Sequence, residues 1–211
     1  MFLCWSAKGG SGTTVVAAAL SLVLARQQPT VLVDLAGDSP AALGLPQPAG
    51  PGVADWLASP TADTAALHRL AVPANDTLQV LPTGTSSPAA DGARRAQLAV
   101  ALAQHPGAVV IDAGTGSPPA ELLAAATTHL LVTRPCYLAL RRAVADGVQP
   151  TGVVLVGEPG RALHARDIER ALSAPVVAQV EFDPAVARAV DAGLLAARLP
   201  RSLAHALQQL S

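Results

Sequence analysis

The stretch at positions 2–20, FLCWSAKGGSGTTVVAAAL, limits the fold of the chain more than any other segment. An apolar run leads into a loop that holds Gly9, Gly10 and Gly12, and an apolar helical pattern follows the loop directly. Glycine adopts backbone conformations that other residues resist, and it lets amide groups come close to a ligand. A helix that begins near Thr13 directs its free N–H groups and the positive end of its dipole to the same point. The stretch therefore predicts a phosphate-binding loop between a strand and a helix.

Short apolar runs recur along the chain, with helical patterns between most of them. The runs are nearly continuous rather than alternating, which is typical of parallel strands buried on both faces of a sheet. The predicted strands lie at 2–6, 30–34, 78–82, 108–112, 129–133, 152–156 and 175–180, and the predicted helices at 12–26, 53–59, 91–105, 117–126, 136–147, 164–173, 184–191 and 201–210. This order predicts an α/β fold with a doubly wound, mostly parallel sheet of about seven or eight strands and helices on both faces.

The length of the chain, 211 residues, suits one domain, so we expect a single domain over 1–211. The sequence shows no internal repeat and no domain linker. A stretch rich in proline and glycine at 37–52 interrupts the pattern after the second strand, and we predict that it is a surface excursion.

The composition argues against several classes of function. Only five residues are aromatic, fewer than stacking on single-stranded nucleic acid requires, and a formal net charge of −1 gives no overall attraction to DNA or anionic lipid. The cysteines, Cys4 and Cys136, have no zinc-type spacing, which is typical of a reducing cytoplasm. The best apolar run, 15–25, is shorter than the roughly 20 residues of a bilayer span, and the N-terminus lacks the pattern of a secretory signal. We therefore expect a cytoplasmic protein with no transmembrane segment.

Three polar residues beyond the glycines fall where such a sheet binds ligands. Thr14 occupies the place at which a hydroxyl would ligate Mg²⁺. Asp112 ends the strand AVVID and is placed like the carboxylate that holds the metal through water. Asp34 ends the second strand, TVLVD. Because ligands bind beyond the carboxyl ends of parallel strands, we expect these residues to meet at one nucleotide and magnesium site.

Lys8 is the only lysine of the chain, beside 13 arginines. A bias toward arginine explains the thirteen, but it does not explain why one position in the glycine loop is a lysine. A compact ammonium group reaches a phosphate in a tight loop more easily than a bulky guanidinium does. We therefore predict that Lys8 contacts phosphate.

The loop KGGSGTT at 8–14 resembles the deviant Walker A motif of the ParA/MinD family, KGGxGKT or KGGxGKS. Lys8 matches the family's signature lysine, which reaches across a nucleotide-bound dimer to the partner's phosphates. Thr13 replaces the second, ordinary lysine of the loop. The form KGGxGTT is similar to that of the CpaE/TadZ branch, which is linked to pilus assembly and polar positioning. Segments 30–38, 78–84 and 165–207 follow in the family's order, so the resemblance covers nearly the whole chain.

The resemblance implies a P-loop fold of the ParA/MinD type that takes ATP and Mg²⁺. It implies a homodimer that switches its binding to a protein partner at the pole, the membrane or an assembly machine, so that the protein reaches those places only peripherally. The implied nucleotide ligands are Lys8, Gly9, Gly10, Ser11, Gly12, Thr13 and Thr14. Thr14 and Asp112 are the implied Mg²⁺ ligands, and Lys8, Asp34 and Asp38 are the candidates for a catalytic role. The C-terminal stretch would supply part of the adenine pocket.

Several departures from the family pattern predict weak or absent hydrolysis. The family's first switch region reads DxD, and here Ala36 stands in place of the second aspartate, with Asp38 close by as a substitute. Gly114 stands in place of a proline of the second switch region, and Val156 in place of an asparagine that reads adenine. With Thr13, the loop lacks a cation of the kind that contributes several kcal/mol in a transition state.

Two other functions fit parts of the sequence. A degenerate family member would keep the fold and act without nucleotide, as a scaffold or as the partner of an active paralogue. A dinucleotide-binding oxidoreductase would use Asp34, about 20 residues beyond the glycines, to hold a ribose hydroxyl. Against the oxidoreductase, the loop reads GxGxxV and lacks the third glycine, and Lys8 and Asp112 have no role in it.

Contact with DNA or a membrane has weaker support in the sequence. Acidic residues alternate with the basic strip that could bind DNA, so a solvated mixed face is favoured. That strip consists of Arg141, Arg142, Arg161, Arg166 and Arg170. The last segment, 201–211, has an apolar helical face but lacks the lysines and bulky aromatics of an interfacial helix, so we expect it to pack against the sheet.

Overall fold

The computed structural model describes residues 1–86 and 91–210, and an eight-stranded sheet forms its centre. The strands are β1 (Phe2–Ser6), β2 (Thr30–Asp34), β3 (Val72–Pro73), β4 (Leu78–Leu81), β5 (Ala108–Thr115), β6 (Thr128–Thr133), β7 (Gly152–Val156) and β8 (Val176–Val180). Their order is β3-β4-β2-β5-β1-β6-β7-β8. Every neighbouring pair is parallel except β3 and β4. The doubly wound, mostly parallel sheet that the sequence predicts is therefore confirmed.

The seven predicted strands are all present, most within one residue of their predicted bounds. Strand β5 is longer than predicted and ends at Thr115, and the extension lies beside Ser6 at the end of β1. The antiparallel edge strand β3 was not predicted, because two residues give no periodic pattern and Pro73 cannot donate to a ladder. Residues 87–90 and 211, which the predicted domain 1–211 includes, lie outside the described residues.

Helices connect the strands, and the predicted helices are all present, most of them with somewhat shorter bounds. They are α1 (Thr13–Leu24), α2 (Ser39–Leu43), α3 (Val53–Ala58), α4 (Thr64–Arg69), α5 (Gly92–Ala103), α6 (Ala120–Ala125), α7 (Tyr137–Asp146), α8 (Ala165–Leu172), α9 (Pro184–Asp191) and α10 (Arg201–Leu207), followed by a 3₁₀ turn (Gln208–Leu210). Two of them, α2 and α4, were not predicted. The helix α2 lies in the stretch rich in proline and glycine, and α4 buries a single residue, Leu67, so neither shows an apolar stripe of helical period.

The prediction that 37–52 is a surface excursion is wrong for part of the segment. Its first part forms α2, whose Leu43 is buried in the core against α1. Pro40 fixes a helical φ in the first turn, and Gly44 ends the helix in the left-handed region at φ 79°. A side chain at Gly44 would collide with the backbone of Gly193, so glycine is needed there for the close approach of two turns.

Two apolar cores cover the two faces of the sheet. Successive strand residues point to opposite faces, so that Leu3 and Trp5 belong to one core while Cys4, between them, belongs to the other. The first core contains α1, α2 and α10, and the second contains α3, α5, α6 and α8. Helices on both faces explain why the strands are apolar at nearly every position.

The C-terminal helix α10 packs against the sheet, as predicted. Its Leu203 and Leu207 are buried in the core with α1 and strand residues such as Ala178 of β8. Within the described residues, no helix has the length and apolar character that a membrane span requires.

Candidate functional site

The glycine loop follows β1 at the carboxyl edge of the sheet and ends at the first turn of α1. Gly10 and Gly12 have φ angles of 77° and 94°, a region that other residues rarely adopt. The Ser11 hydroxyl donates a hydrogen bond of 2.6 Å to the carbonyl of Lys8, which closes the loop on itself. The tight loop therefore depends on glycine at two positions and on a short hydroxyl at a third.

The amide groups of the loop have no partner within the protein. In the part of the chain that the structure describes, no oxygen accepts a hydrogen bond from the N–H groups of residues 9–14. Backbone donors left unpaired in this way need water or a ligand, and a ring of them at a helix N-terminus favours an anion. The predicted phosphate-binding residues Gly9, Gly10, Ser11, Gly12, Thr13 and Thr14 thus form one set of donors.

Asp34 and Asp112 lie opposite each other across the parallel pair β2 and β5, and both are fully buried. One Asp34 oxygen accepts hydrogen bonds from the amides of Ala36 and Gly37, at 3.1 and 2.7 Å. The other accepts one from the amide of Ser39, at 3.3 Å. Burial raises the pKa of Asp34, and these hydrogen bonds oppose that shift. Asp34 therefore holds the backbone that follows β2 in place.

Asp112 makes contact with three other parts of the site. Its carboxylate accepts hydrogen bonds from the Gly114 amide at 3.0 Å and from the Ser39 hydroxyl at 3.4 Å. Burial raises the pKa of Asp112, while a hydrogen bond from the Thr14 side chain is the strongest influence that lowers it, and the nearby charge of Asp34 raises it again. The predicted metal ligands Thr14 and Asp112 are therefore adjacent.

The pair Thr14 and Asp112 suits Mg²⁺, because the cation prefers hydroxyl and carboxylate oxygens and completes its shell with water and phosphate. No group of three or more His, Cys, Asp or Glu side chains is placed to hold a metal among the described residues. A Mg²⁺ ion at this place would accordingly depend on oxygens from a bound nucleotide.

A cavity of about 540 Å³ opens beside the loop. It is lined by the loop and helix residues 10–15, by Leu35, Ala36 and Asp38 after β2, and by 113–115 at the end of β5. Asp38 and Ala36 are both exposed at this wall. The structure thus brings Asp38 to the same cavity as the glycine loop.

A second cavity, of about 350 Å³, adjoins the first and shares Gly12 and Val15 with it. Its walls are mainly apolar and come from α1, the end of β7, the end of β8 and α9. They include Val16, Val156, Val180, Phe182, Val186 and Val190. A flat apolar ligand group attached to a phosphate chain would therefore fit with the phosphates at the loop and the flat group between α1 and α9.

Lys8 is partly exposed, and its ammonium group lies 3.4 Å from the carbonyl of Gly9. Among residues 1–86 and 91–210, no carboxylate pairs with it. Its charge is accordingly available to a ligand or to a second molecule at this edge.

Ser39 was not predicted as a site residue, and it links the two aspartates through its amide and its hydroxyl. The only signal at this position is the dipeptide Ser-Pro at 39–40, because a Ser before a Pro often begins a helix. Thr83 was not predicted either, and its hydroxyl donates a hydrogen bond of 2.7 Å to the carbonyl of Asp34. No local pattern marks Thr83.

No protein-family model matches the chain, and no curated protein matches it in sequence. Solved structures do match over its full length. A ParA family ATPase from Chlorobium tepidum is 18% identical, with 99% of this chain and 97% of that chain covered and a TM-score of 0.81. The MinD of Pyrococcus horikoshii, solved with Mg-ADP, is 19% identical over 99% and 93%, with a TM-score of 0.78. A MinC:MinD complex from Aquifex aeolicus gives 19% identity over 99% and 92%, and a TM-score of 0.78.

These similarities establish the fold of the chain as that of the ParA and MinD P-loop ATPases. The sheet order separates it from the dinucleotide-binding fold, in which the first two strands are neighbours, since here β5 lies between β1 and β2. Asp34 also cannot hold a ribose hydroxyl, because its carboxylate is fully buried and both oxygens bind backbone amides. The structure therefore contradicts the oxidoreductase hypothesis.

Proposed function

We propose that this chain is a member of the ParA/MinD family, closest to its CpaE/TadZ branch, and that it binds Mg·ATP as a switch for dimerisation. The observation that carries the proposal is the set of unpaired amide groups at residues 9–14. Residues 10–14 of this set line the first cavity, and the side chain of Thr14 is hydrogen-bonded to Asp112. An array of backbone donors at a helix N-terminus, with a hydroxyl and a carboxylate beside it, is suited to a nucleotide polyphosphate with Mg²⁺.

Each predicted residue then has a role that its position supports. The loop amides of Gly9 to Thr14 hold the phosphates, and Thr14 with Asp112 holds Mg²⁺. Lys8 contacts phosphate, either in its own subunit or across the dimer. Asp34 acts as a positioning residue, because it fixes the backbone that leads to Asp38 and Ser39.

Hydrolysis is proposed to be weak or absent. Thr13 leaves the loop without its usual lysine, and Ala36, exposed at the cavity wall, cannot orient an attacking water. Asp38 lines the same cavity and is the carboxylate best placed to act in its stead.

The proposed output of the switch is binding to a partner protein that positions or assembles a larger structure. Support comes from the fold shared with a MinD that is solved with its partner MinC. The KGGxGTT form of the loop favours a role in pilus or secretion assembly, through the resemblance to the CpaE/TadZ branch.

Calorimetric titration of Mg·ATP tests the proposal most directly. We expect the wild type to bind and Lys8→Ala to bind about tenfold to a hundredfold more weakly, because a hydrogen bond to a charged group contributes roughly 1.5–3 kcal/mol. Arg69→Ala removes an exposed cation on α4, away from both cavities, and is the matched control. NADH is the control ligand and is expected not to bind.

A second function is supported by Thr13 and Ala36. They replace a lysine and an aspartate that the family uses for hydrolysis. In this case the chain is a nucleotide-free scaffold or the partner of an active paralogue. Absence of Mg·ATP binding to the wild type would refute the switch and favour the scaffold.

A further inference from the structure

Glu158 lines the second cavity and is influenced by three basic side chains. Arg161 makes an ion pair with Glu158 at 2.7 Å. The pKa of Glu158 lies below its usual range, first because of the hydrogen bond from Arg161 and then because of the positive charges of Arg161, Arg134 and Lys8. Arg134 and Arg161 therefore lie near the same carboxylate as Lys8, the one cation of the loop itself.

Arg134 is placed next to the phosphate loop by the sheet. In the parallel register of β1 and β6, Trp5 lies opposite Leu131, and three residues further along each chain are Lys8 and Arg134. Arg134 lines the second cavity together with Gly12 and Val15, the two residues that this cavity shares with the first one. Both cations therefore emerge from neighbouring strands at the same edge.

The guanidinium of Arg134 forms no ion pair among the described residues. Arg161 already pairs with Glu158, and in the described parts of the chain no oxygen accepts a hydrogen bond from the Arg134 side chain. The residue is exposed. The other carboxylates of the cavity are Glu181, Asp183 and Asp191, and Asp183 is occupied by the Ser202 hydroxyl and the Ala185 amide. An unpaired guanidinium beside a row of unpaired amides is suited to a phosphate oxygen.

We propose that Arg134 is a phosphate-binding residue of this site and supplies the cation that position 13 of the loop lacks. The proposal rests on the nucleotide binding proposed above and adds a residue to it that lies far from the loop in sequence. With Arg134 and Lys8 together, the polyphosphate meets two cations, the number that the KGGxGKT form of the loop provides by itself.

The test is calorimetric titration of Mg·ATP into wild type, Arg134→Gln and the control Arg166→Gln, which removes an exposed arginine on α8 outside both cavities. We expect Arg134→Gln to weaken binding about tenfold or more, the effect of losing one charge-assisted hydrogen bond, and Arg166→Gln to bind like the wild type. Thr13→Lys, introduced into Arg134→Gln, is expected to restore most of the lost affinity, because a loop lysine reaches the same phosphates.

The outcomes separate this inference from the proposed function. Wild-type binding that Arg134→Gln leaves unchanged would overturn the role of Arg134 and leave the switch intact. In another outcome, Thr13→Lys folds, as judged by a circular dichroism spectrum that matches the wild type, and still does not restore the affinity that Arg134→Gln loses. That result would assign Arg134 to the base or sugar of the nucleotide and would also overturn its role at the phosphates. If Thr13→Lys does not fold, the titration is repeated with inorganic triphosphate as the ligand. If wild type and Arg134→Gln then bind triphosphate with equal affinity, the phosphate contact of Arg134 is overturned. A wild type that binds no Mg·ATP would overturn both proposals.

Discussion

At the scale of single residues, the two aspartates of the site carry a cost of burial that their hydrogen-bond partners offset in part. Asp34 and Asp112 are fully buried opposite each other, and burial raises the pKa of each. Hydrogen bonds from amides and from Ser39 and Thr14 offset part of that cost, but no cation pairs with either carboxylate in the described residues. A divalent cation at Asp112 would therefore favour the ionised form of this carboxylate, which burial disfavours.

We predict that Asp112→Asn removes the dependence of nucleotide affinity on Mg²⁺. The amide side chain keeps the shape and most hydrogen bonds of the carboxylate but carries no charge to attract the metal. Calorimetry with ATP in Mg²⁺ and in EDTA is the measurement, and the variant is expected to give the same affinity in both, at least about tenfold weaker than wild type with Mg²⁺. Thermal unfolding in EDTA is the control. There the variant should be no less stable than wild type, because it buries one charge fewer.

The residues of the phosphate loop could be predicted because they are neighbours in sequence. Lys8, Thr14 and the strand-end Asp112 have a fixed spacing or a fixed place at the end of an apolar run, and the structure brings them to one edge. Ser-Pro at 39–40 marks only the start of a helix. Neither the contact of Ser39 with Asp112 nor the place of Arg134 beside the loop could be predicted, because each residue reaches the site from another segment. Their position depends on the register of β2 with β5 and of β1 with β6.

At the scale of elements, one carboxylate fastens α3 to the segment that follows β4. Asp55 accepts hydrogen bonds from the amides of Gly52 and Thr85, at 2.7 and 3.0 Å. It also accepts them from the amide and hydroxyl of Ser86, at 3.1 and 2.6 Å. Gly52 and Gly84 approach so closely that a side chain on either would collide with the other segment. The pKa of Asp55 is held well below its usual range, mainly by Ser86 and then by Gly52 and Thr85.

We predict that Asp55→Ala lowers the free energy of unfolding by about 1 kcal/mol at neutral pH, the usual effect of losing a side chain that caps the start of a helix. The folded-state pKa lies below the unfolded value of 3.8, so the contribution of Asp55 is present above that value and is lost as the pH falls further. Urea unfolding at pH 7 and near pH 3 measures both, and the difference between wild type and variant should shrink at the acidic pH. A difference that is the same at both pH values would contradict this role of the ionised carboxylate.

The long elements of the fold could be predicted, and so could the six-residue helices α3 and α6, but α2, α4 and β3 could not. Strands such as β2 and helices such as α1 show their type because both faces or one continuous stripe are apolar over several residues. The helix α2 depends on burial against α1 and on Pro40 and Gly44, and the edge strand β3 depends on pairing with β4. Tertiary contacts outweigh local pattern in such short segments.

At the scale of the whole molecule, the order of the strands decides which ligands the sheet can take. Strand β5 lies between β1 and β2, so Asp112 stands directly between the phosphate loop and Asp34. The strand order could not be predicted from the sequence, in which β5 follows β2 after more than 70 residues. The same strand order separates the ParA/MinD fold from the dinucleotide-binding fold. Exposed apolar side chains on α7 and after β8, Tyr137 and Phe182, lie at the same end of the sheet as the cavities.

We predict that the protein is monomeric without nucleotide and dimeric with saturating Mg·ATP, because Lys8 and the cavities open at one exposed edge that a second copy could cover. Size-exclusion chromatography with light scattering measures the mass directly. The wild-type mass should double with Mg·ATP, whereas Lys8→Ala should stay monomeric and Arg69→Ala should behave like the wild type. If Lys8→Ala still binds Mg·ATP in calorimetry but does not dimerise, Lys8 acts on the partner's phosphates, and if it loses both, Lys8 acts in its own subunit. An unchanged wild-type mass at saturating Mg·ATP would refute the nucleotide-dependent switch. It would mean that Mg·ATP binds monomer and dimer equally well, and such a ligand does not shift the equilibrium between them.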